Sequence, residues 1–275
     1  MIKERLTATT WPWGNQTKEQ IELGISEISK IGYKLFETVK GAIYAYDFNL
    51  NAFREVINKY GVKPVSFYYV ISEKGQENDL FKNIDKELEF IAKLGVDKIC
   101  FQATKGRPDV MNDSALDYEV NVLRKFGEKT REFGITASLH PHYNTWVTYK
   151  NEIDNIFSNL DAKIIGFTPD TAHLVIGCCN PVDIIRTYAN RINFTHFKDI
   201  KKPPKDFENL TKIDFSVYAN FCELGTGVID FKSIFDILNG VNYSGPICEE
   251  LDGAPISNEI SAKINYDFLV KNYRI

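Results

Sequence analysis

The chain has 275 residues, 44% of them hydrophobic, with a formal charge of −4 at pH 7. That is enough apolar material for a large core, and the charge balance speaks against a nucleic-acid or anionic-membrane surface. No stretch approaches the ~18 uninterrupted apolar residues of a membrane span, Met1–Thr10 has no apolar signal core, and the five cysteines form no C-x-x-C pair, so a cytoplasmic protein with reduced thiols is expected.

Leu6–Thr10 reads as a first strand. After it, helical stretches repeatedly end at a glycine and a β-rich run follows. Ile31-Gly32 precedes Tyr33–Val39, Tyr60-Gly61 precedes Val65–Val70, Leu94-Gly95 precedes Lys98–Ala103, and Phe133-Gly134 precedes Ile135–Leu139. Glycine past a helix end closes its C-cap, and short runs of β-branched and aromatic residues are strand material. The intervening helices are amphipathic: Ile84, Leu88, Ile91 and Leu94 share one face, as do Val120, Leu123 and Phe126. Later strands read Lys163–Thr168, Arg191–Phe197 and Gly245–Glu250. Eight strands, each followed by helix at roughly 34 residues per unit, predict a (β/α)8 TIM barrel. No linker interrupts the pattern, so residues 1–275 are expected to form one domain. Asp199–Tyr218, the longest insertion, carries Lys201, Lys202, Pro203 and Pro204 and is a candidate lid or oligomer contact.

All four histidines fall between His140 and His196, in polar phrases that end hydrophobic runs. The phrases are Leu139-His140-Pro141-His142, Asp170-Thr171-Ala172-His173 and Thr195-His196-Phe197-Lys198-Asp199. A fourth run ends in Cys248-Glu249-Glu250-Leu251-Asp252. Imidazole beside carboxylate is ligand chemistry for a divalent metal, and active sites of this fold lie where the strands end. Residues two apart on a strand share a face. His140 therefore pairs with His142 and His196 with Lys198, while only one of Glu249 and Glu250 faces the barrel mouth.

These phrases, in this order, resemble the xylose isomerase-like TIM barrels, a group of sugar epimerases, inosose (2-keto-myo-inositol) dehydratases and endonuclease IV. The resemblance runs from about residue 6 to 270. It implies a metal held by His140, Asp170, His196 and Glu250, the last chosen by matching Tyr243-Ser244-Gly245…Glu250-Leu251-Asp252 to the family's Y-x-G…E-x-D ending. Glu223–Phe231 is similar to the family's G-x-G-x-[IV]-D-F segment, and Glu223 is taken as a substrate contact. The epimerase branch has glutamate where His140 stands. The His140/His142 pair is closer to the inosose dehydratases and argues against a two-glutamate epimerisation. Mixed nitrogen and oxygen ligation suits Mn²⁺, Co²⁺, Fe²⁺ or Zn²⁺ better than Mg²⁺ or Ca²⁺, and Mn²⁺ or Co²⁺ is the expected ion.

The implied chemistry is proton abstraction α to the carbonyl of a keto-sugar or keto-inositol. Glu250, His142 and His173 are the candidate bases, and Lys198 or His173 would protonate a departing hydroxyl. An isomerase or epimerase is the alternative ending, and an endonuclease IV-type enzyme or a non-catalytic sugar-binding barrel lies further off. The partner is then a small sugar or cyclitol, with no nucleic acid and no membrane, and a homo-oligomer is compatible with the chain. Trp146, Glu37 and Gln102 are further candidate substrate contacts beside His173, and Lys105 and Arg107 are candidate anion contacts. Trp11, Trp13, Tyr68 and Tyr69 could wall the pocket, though aromatics more often fill barrel cores. Each assignment has a plainer counterpart: Asp170 as a helix N-cap, His173 as a packing residue, His142 as a loop histidine, Lys198 as a solvated strand-end lysine.

Overall fold

The computed structural model describes residues 2–202 and 215–273. The strands are β1 (Leu6–Thr9), β2 (Leu35–Val39), β3 (Lys63–Val70), β4 (Lys98–Gln102), β5 (Thr136–His140), β6 (Gly166–Phe167) and β7 (His196–Phe197). A short antiparallel pair follows, β8 (Asp199–Ile200) with β9 (Phe221–Cys222), and then β10 (Ile247–Glu249). The helices are α1 (Lys18–Ile31), α2 (Gly41–Ala45), α3 (Leu50–Tyr60), α4 (Glu77–Phe81), α5 (Ile84–Lys93) and α6 (Asp113–Arg131). They continue with α7 (Lys150–Asn159), α8 (Thr171–Ile176), α9 (Pro181–Thr187), α10 (Phe231–Gly240) and α11 (Asn258–Asn272).

The eight-stranded sheet has the order β6-β5-β4-β3-β2-β1-β10-β7. Its two ends meet through parallel bridges Phe167↔Ile192 and Asp170↔His196, with the His196 amide donating to Pro169 O at 2.9 Å. The sheet is thus a (β/α)8 barrel. Local signals stop and start the helices as the sequence indicates. Gly32 and Gly61 end α1 and α3 at φ 119° and 65°, a region that side chains with a Cβ resist. Thr17 and Gln20 form a capping box on α1.

Parity separates two environments. Phe36, Phe67, Phe101, Leu139, Phe167 and Phe197 belong to the core shared by strands and helices. The alternate residues, among them Glu37, Ser66, Cys100, Ser138, His140, His196 and Cys248, are fully buried in the barrel interior. Ile84, Leu88, Ile91, Val120, Leu123 and Phe126 are buried on the predicted helix faces.

Three predicted elements are revised. The sixth strand shrinks from Lys163–Thr168 to Gly166–Phe167, because Asp161 O captures the amides of Ile164 and Ile165 in a turn. The seventh shrinks from Arg191–Phe197 to His196–Phe197, since Ala189–Arg191 forms a 3-10 turn. The insertion after the seventh strand opens as β8, which pairs with β9 just beyond Tyr218 rather than leading directly into a helix, and its residues 203–214 lie outside the described residues. Its return leg packs Val217 and Phe221 against Tyr143, Ala172, Ile176 and Ile200 in a small cluster above the barrel mouth. No helix among the described residues is long and apolar enough to cross a membrane.

One buried carboxyl couples the fold to pH. Glu119 of α6 is fully buried and accepts the Thr104 amide at 3.1 Å. Burial pushes it up to about 7 from 4.5. A carboxyl raised in the folded state contributes stability below about pH 4.5 that is lost as pH rises through about 7. A shift of that size corresponds to about 3 kcal/mol. Urea unfolding at pH 5 and pH 8 should therefore show a fall that Glu119→Gln flattens; equal falls in both proteins would exclude this carboxyl as the cause.

Candidate active site

Four buried side chains converge at the carboxyl end of the barrel. His140 ends β5, Asp170 is the residue before α8, His196 opens β7, and Glu250 follows β10. One donor atom from each lies within 4.8 Å of the others. His140 Nε2 is 3.5 Å from Asp170 Oδ2 and 3.6 Å from Glu250 Oε2, and His196 Nδ1 is 2.7 Å from Glu250 Oε2. Beyond one another these four atoms make no regular hydrogen bond within the protein, and Asp170 Oδ2 has only the ion-pair contact of Lys198 Nζ at 3.1 Å. Buried polar atoms are almost always satisfied, so four donor atoms aimed at one another with no regular hydrogen bond fit a shared cation. Two imidazole nitrogens and two carboxylate oxygens are a suitable donor set for a divalent transition-type ion.

Asp170 also caps α8. Its Oδ1 accepts the His173 amide at 2.8 Å while Oδ2 faces the cluster, so the capping reading and the ligand geometry coexist in one carboxylate. The adjacent glutamates divide by parity. Glu250 faces the cluster; Glu249 turns outward and accepts from Asn265 of α11 at 2.7 Å, where burial raises it to about 8.

Lys198 is 1% exposed, so it is not a solvated strand-end lysine. Its Nζ lies 2.6 Å from Asp252 Oδ2, and 3.1 Å from both Asp170 Oδ2 and Glu250 Oε1. Burial alone would neutralise it, but the charges of Asp170, Asp252 and Glu250 hold its pKa well above the usual lysine range. Desolvation would likewise raise Asp170 and Asp252, yet the Lys198 ammonium draws both well below the usual carboxylate range.

His142 and His173 stack beside this cluster, ring centroids 3.8 Å apart. Backbone partners define their tautomers. Tyr143 O can only accept, so His142 Nδ1–H donates to it at 2.7 Å and leaves Nε2 as the free acceptor. The Tyr143 amide can only donate, so His173 Nδ1 accepts at 3.3 Å, and its Nε2 faces Asp252 Oδ2 at 3.6 Å. Burial and the flanking His173 and His140 hold His142 well below the usual histidine range, and burial and Lys198 lower His173. Both rings are therefore neutral at pH 7.

Other sequence candidates fall elsewhere. Glu37, expected as a substrate contact, instead binds His196 Nε2 at 2.5 Å and accepts from Ser66 at 2.6 Å. Trp146 donates its indole N–H to Gly106 O and packs on Tyr118. Glu223 accepts from Ser261 of α11 at 2.7 Å. Arg107, a candidate anion contact, is paired with Glu152, and Lys105 is exposed. Gln102 ends β4 beside His140 in register and is 3.5 Å from the Tyr68 hydroxyl. Tyr68 stacks on His196 and meets His140 edge-on, with Trp11 behind it. Tyr69 points into the strand–helix core, and Trp13 packs on that core. Asp252 stands in the E-x-D ending two residues past Glu250, but the sequence reading gave it no role at the site. No sequence signal pointed to Ser66, whose role depends on a neighbour from another strand.

The sequence model of the xylose isomerase-like TIM barrel family matches residues 25–270. An inosose dehydratase of Clostridium beijerinckii is 35% identical over 136 residues, which covers 48% of this chain and 46% of that one. The chain thus spans less than half the length of that relative. An inosose dehydratase of Geobacillus kaustophilus is 24% identical over 275 residues, covering 94% and 86%. Among solved structures, the IOLI protein with a bound zinc atom superimposes with a TM-score of 0.77 at 16% identity, covering 98% of each chain. That likeness bears on the fold alone.

The ion cluster gives a direct test. Lys198→Met leaves three carboxylates facing one another, and breaking a buried pair costs about 3–5 kcal/mol. Urea unfolding of metal-free protein at pH 8 should register a loss of that order; an unchanged midpoint would mean the carboxylates do not depend on Lys198.

Proposed function

Because the chain belongs to the xylose isomerase-like TIM barrel family, we propose that it is a divalent-metal-dependent enzyme of sugar or cyclitol metabolism that removes a proton α to a ketone, with dehydration as the outcome. The observation that carries this reading is the converging donor set of His140, Asp170, His196 and Glu250. Those four residues would hold the ion; Mn²⁺ or Co²⁺ suits the set, and the zinc in the IOLI protein supports a divalent ion. When bound, the ion supplies Lewis-acid stabilisation of negative charge on a substrate carbonyl oxygen.

The protein's own groups supply the proton chemistry. His142 presents an unprotonated Nε2, oriented by the bond from its Nδ1–H to Tyr143 O, and serves as the base for the α-proton. Lys198 is the charged donor, held by Asp170, Glu250 and Asp252, and would deliver a proton to the departing β-hydroxyl. Glu250 has both oxygens engaged, one toward the ligand cluster and one toward Lys198, which favours an imidazole over this carboxylate as the base. His173 buttresses His142 and faces Asp252. Tyr68 and Trp11 line the wall beside His196. The relatives named inosose dehydratase support elimination over epimerisation, as does histidine rather than glutamate at the end of β5.

The test is turnover of keto-inositols and ketohexoses in D2O by metal-stripped protein reloaded with Mn²⁺ or Co²⁺. An unsaturated, dehydrated product is expected. Deuterium incorporation without loss of water would overturn dehydration in favour of isomerisation or epimerisation. His142→Ala should lower kcat by about 10²–10⁴-fold while metal affinity is retained; a kcat within a factor of a few would remove His142 as the base.

A further inference from the structure

Resting on the metal reading above, we infer that Glu37 is a positioning residue for the metal: it holds His196 in the tautomer and ring orientation that turn Nδ1 toward the other three ligands. The two ring nitrogens face opposite ways. Nδ1 lies 2.7 Å from Glu250 Oε2 and has no hydrogen-bond partner, whereas Nε2 lies 2.5 Å from Glu37 Oε2. An ionised carboxylate only accepts, so the proton on Nε2 is fixed and the Nδ1 lone pair is left for the ion.

Glu37 is itself held. Ser66 Oγ donates to its Oε1 at 2.6 Å, and Ser66 Oγ accepts the Cys100 amide at 3.1 Å. The chain of contacts therefore runs from β4 through β3 to β2 and then across the barrel interior to β7. Glu37, Ser66, Cys100 and His196 are all fully buried. Among the described residues His196 is the one basic side chain within salt-bridge distance of Glu37. A fully buried carboxylate with so specific a partner is costly unless it serves that partner.

Glu37, His196 and Cys248 also lie close enough to be ligands of a second ion. The hydrogen bonds argue otherwise. Both Glu37 oxygens are already committed, and a second ion would require His196 to give up both ring protons.

Metal affinity decides between these readings. Zn²⁺ and Mn²⁺ binding to the full chain would be measured by chelator competition. Glu37→Ala should weaken binding about 10–100-fold. Glu37→Gln keeps an oxygen that accepts from Nε2 and should lie between the two. With only four histidines, ¹⁵N ring spectra of the zinc-loaded protein can report the tautomer. His196 should be protonated at Nε2 in the unsubstituted protein and in Glu37→Gln, and lose that single signature in Glu37→Ala. Should Glu37→Ala fail to fold, Ser66→Ala should weaken binding by a few-fold through a less firmly held carboxylate. Unchanged affinity in Glu37→Ala, or in Ser66→Ala where that variant must stand in, overturns the inference while leaving the metal reading intact. So does a second zinc ion lost in both Glu37→Ala and Cys248→Ser. An unsubstituted protein that binds no divalent ion overturns the metal reading and this inference with it.

Discussion

Closing the sheet into a ring sends every second side chain into a shared interior, and the rest of the structure follows from that constraint. On the outer parity sit Phe36, Phe67, Phe101, Leu139 and Phe197, packed under the helices. On the inner parity sit Glu37, Ser66, Cys100, His140, His196 and Cys248. An interior this polar is expensive unless each group is satisfied. Hydrogen bonds between strands tie together Glu37, Ser66, His196 and the Cys100 amide. At the carboxyl ends, His140 Nε2, Asp170 Oδ2, His196 Nδ1 and Glu250 Oε2 face one another without a regular hydrogen bond.

The electrostatics of the mouth follow from the same geometry. Asp170, Glu250 and Asp252 would repel one another if nothing intervened, and the Lys198 ammonium is placed within 3.1 Å of all three. In a medium of low dielectric such a cluster is stable only as a whole. That interdependence keeps the carboxylates ionised and the lysine charged, while the neighbouring His142 and His173 stay neutral. A charged lysine, neutral imidazoles and ionised carboxylates thus coexist at the barrel mouth because each sets the state of the next.

The loops that complete the mouth are pinned with similar care. His142 lies in a loop whose Thr145 and Thr148 hydroxyls both donate to its carbonyl oxygen, at 2.8 and 2.9 Å. Asp199, next to Lys198 but of opposite parity, accepts the amides of Ile200, Gly225, Gly227 and Ile229 and so gathers the turn before α10. A Cβ on Gly227 would fall 2.2 Å from Asp199 Oδ1, which is why that position is bare.

The amino-acid sequence by itself determined the barrel, because helix caps, glycine stops and amphipathic faces are local and survive in one dimension. It also carried the order of the His140, Asp170, His196 and Glu250 phrases, since residues at strand ends must converge once the ring closes. It did not carry the short β6 and β7, where the turn at Asp161 and the 3-10 turn at Ala189–Arg191 override β-branched composition. Nor could it separate Glu249 from Glu250, or send Glu37 to His196, Arg107 to Glu152 and Trp146 to Gly106. Those pairings join residues far apart in the chain, and only the tertiary structure decided them, because a side chain's partner is set by which strands and loops the closed barrel makes neighbours.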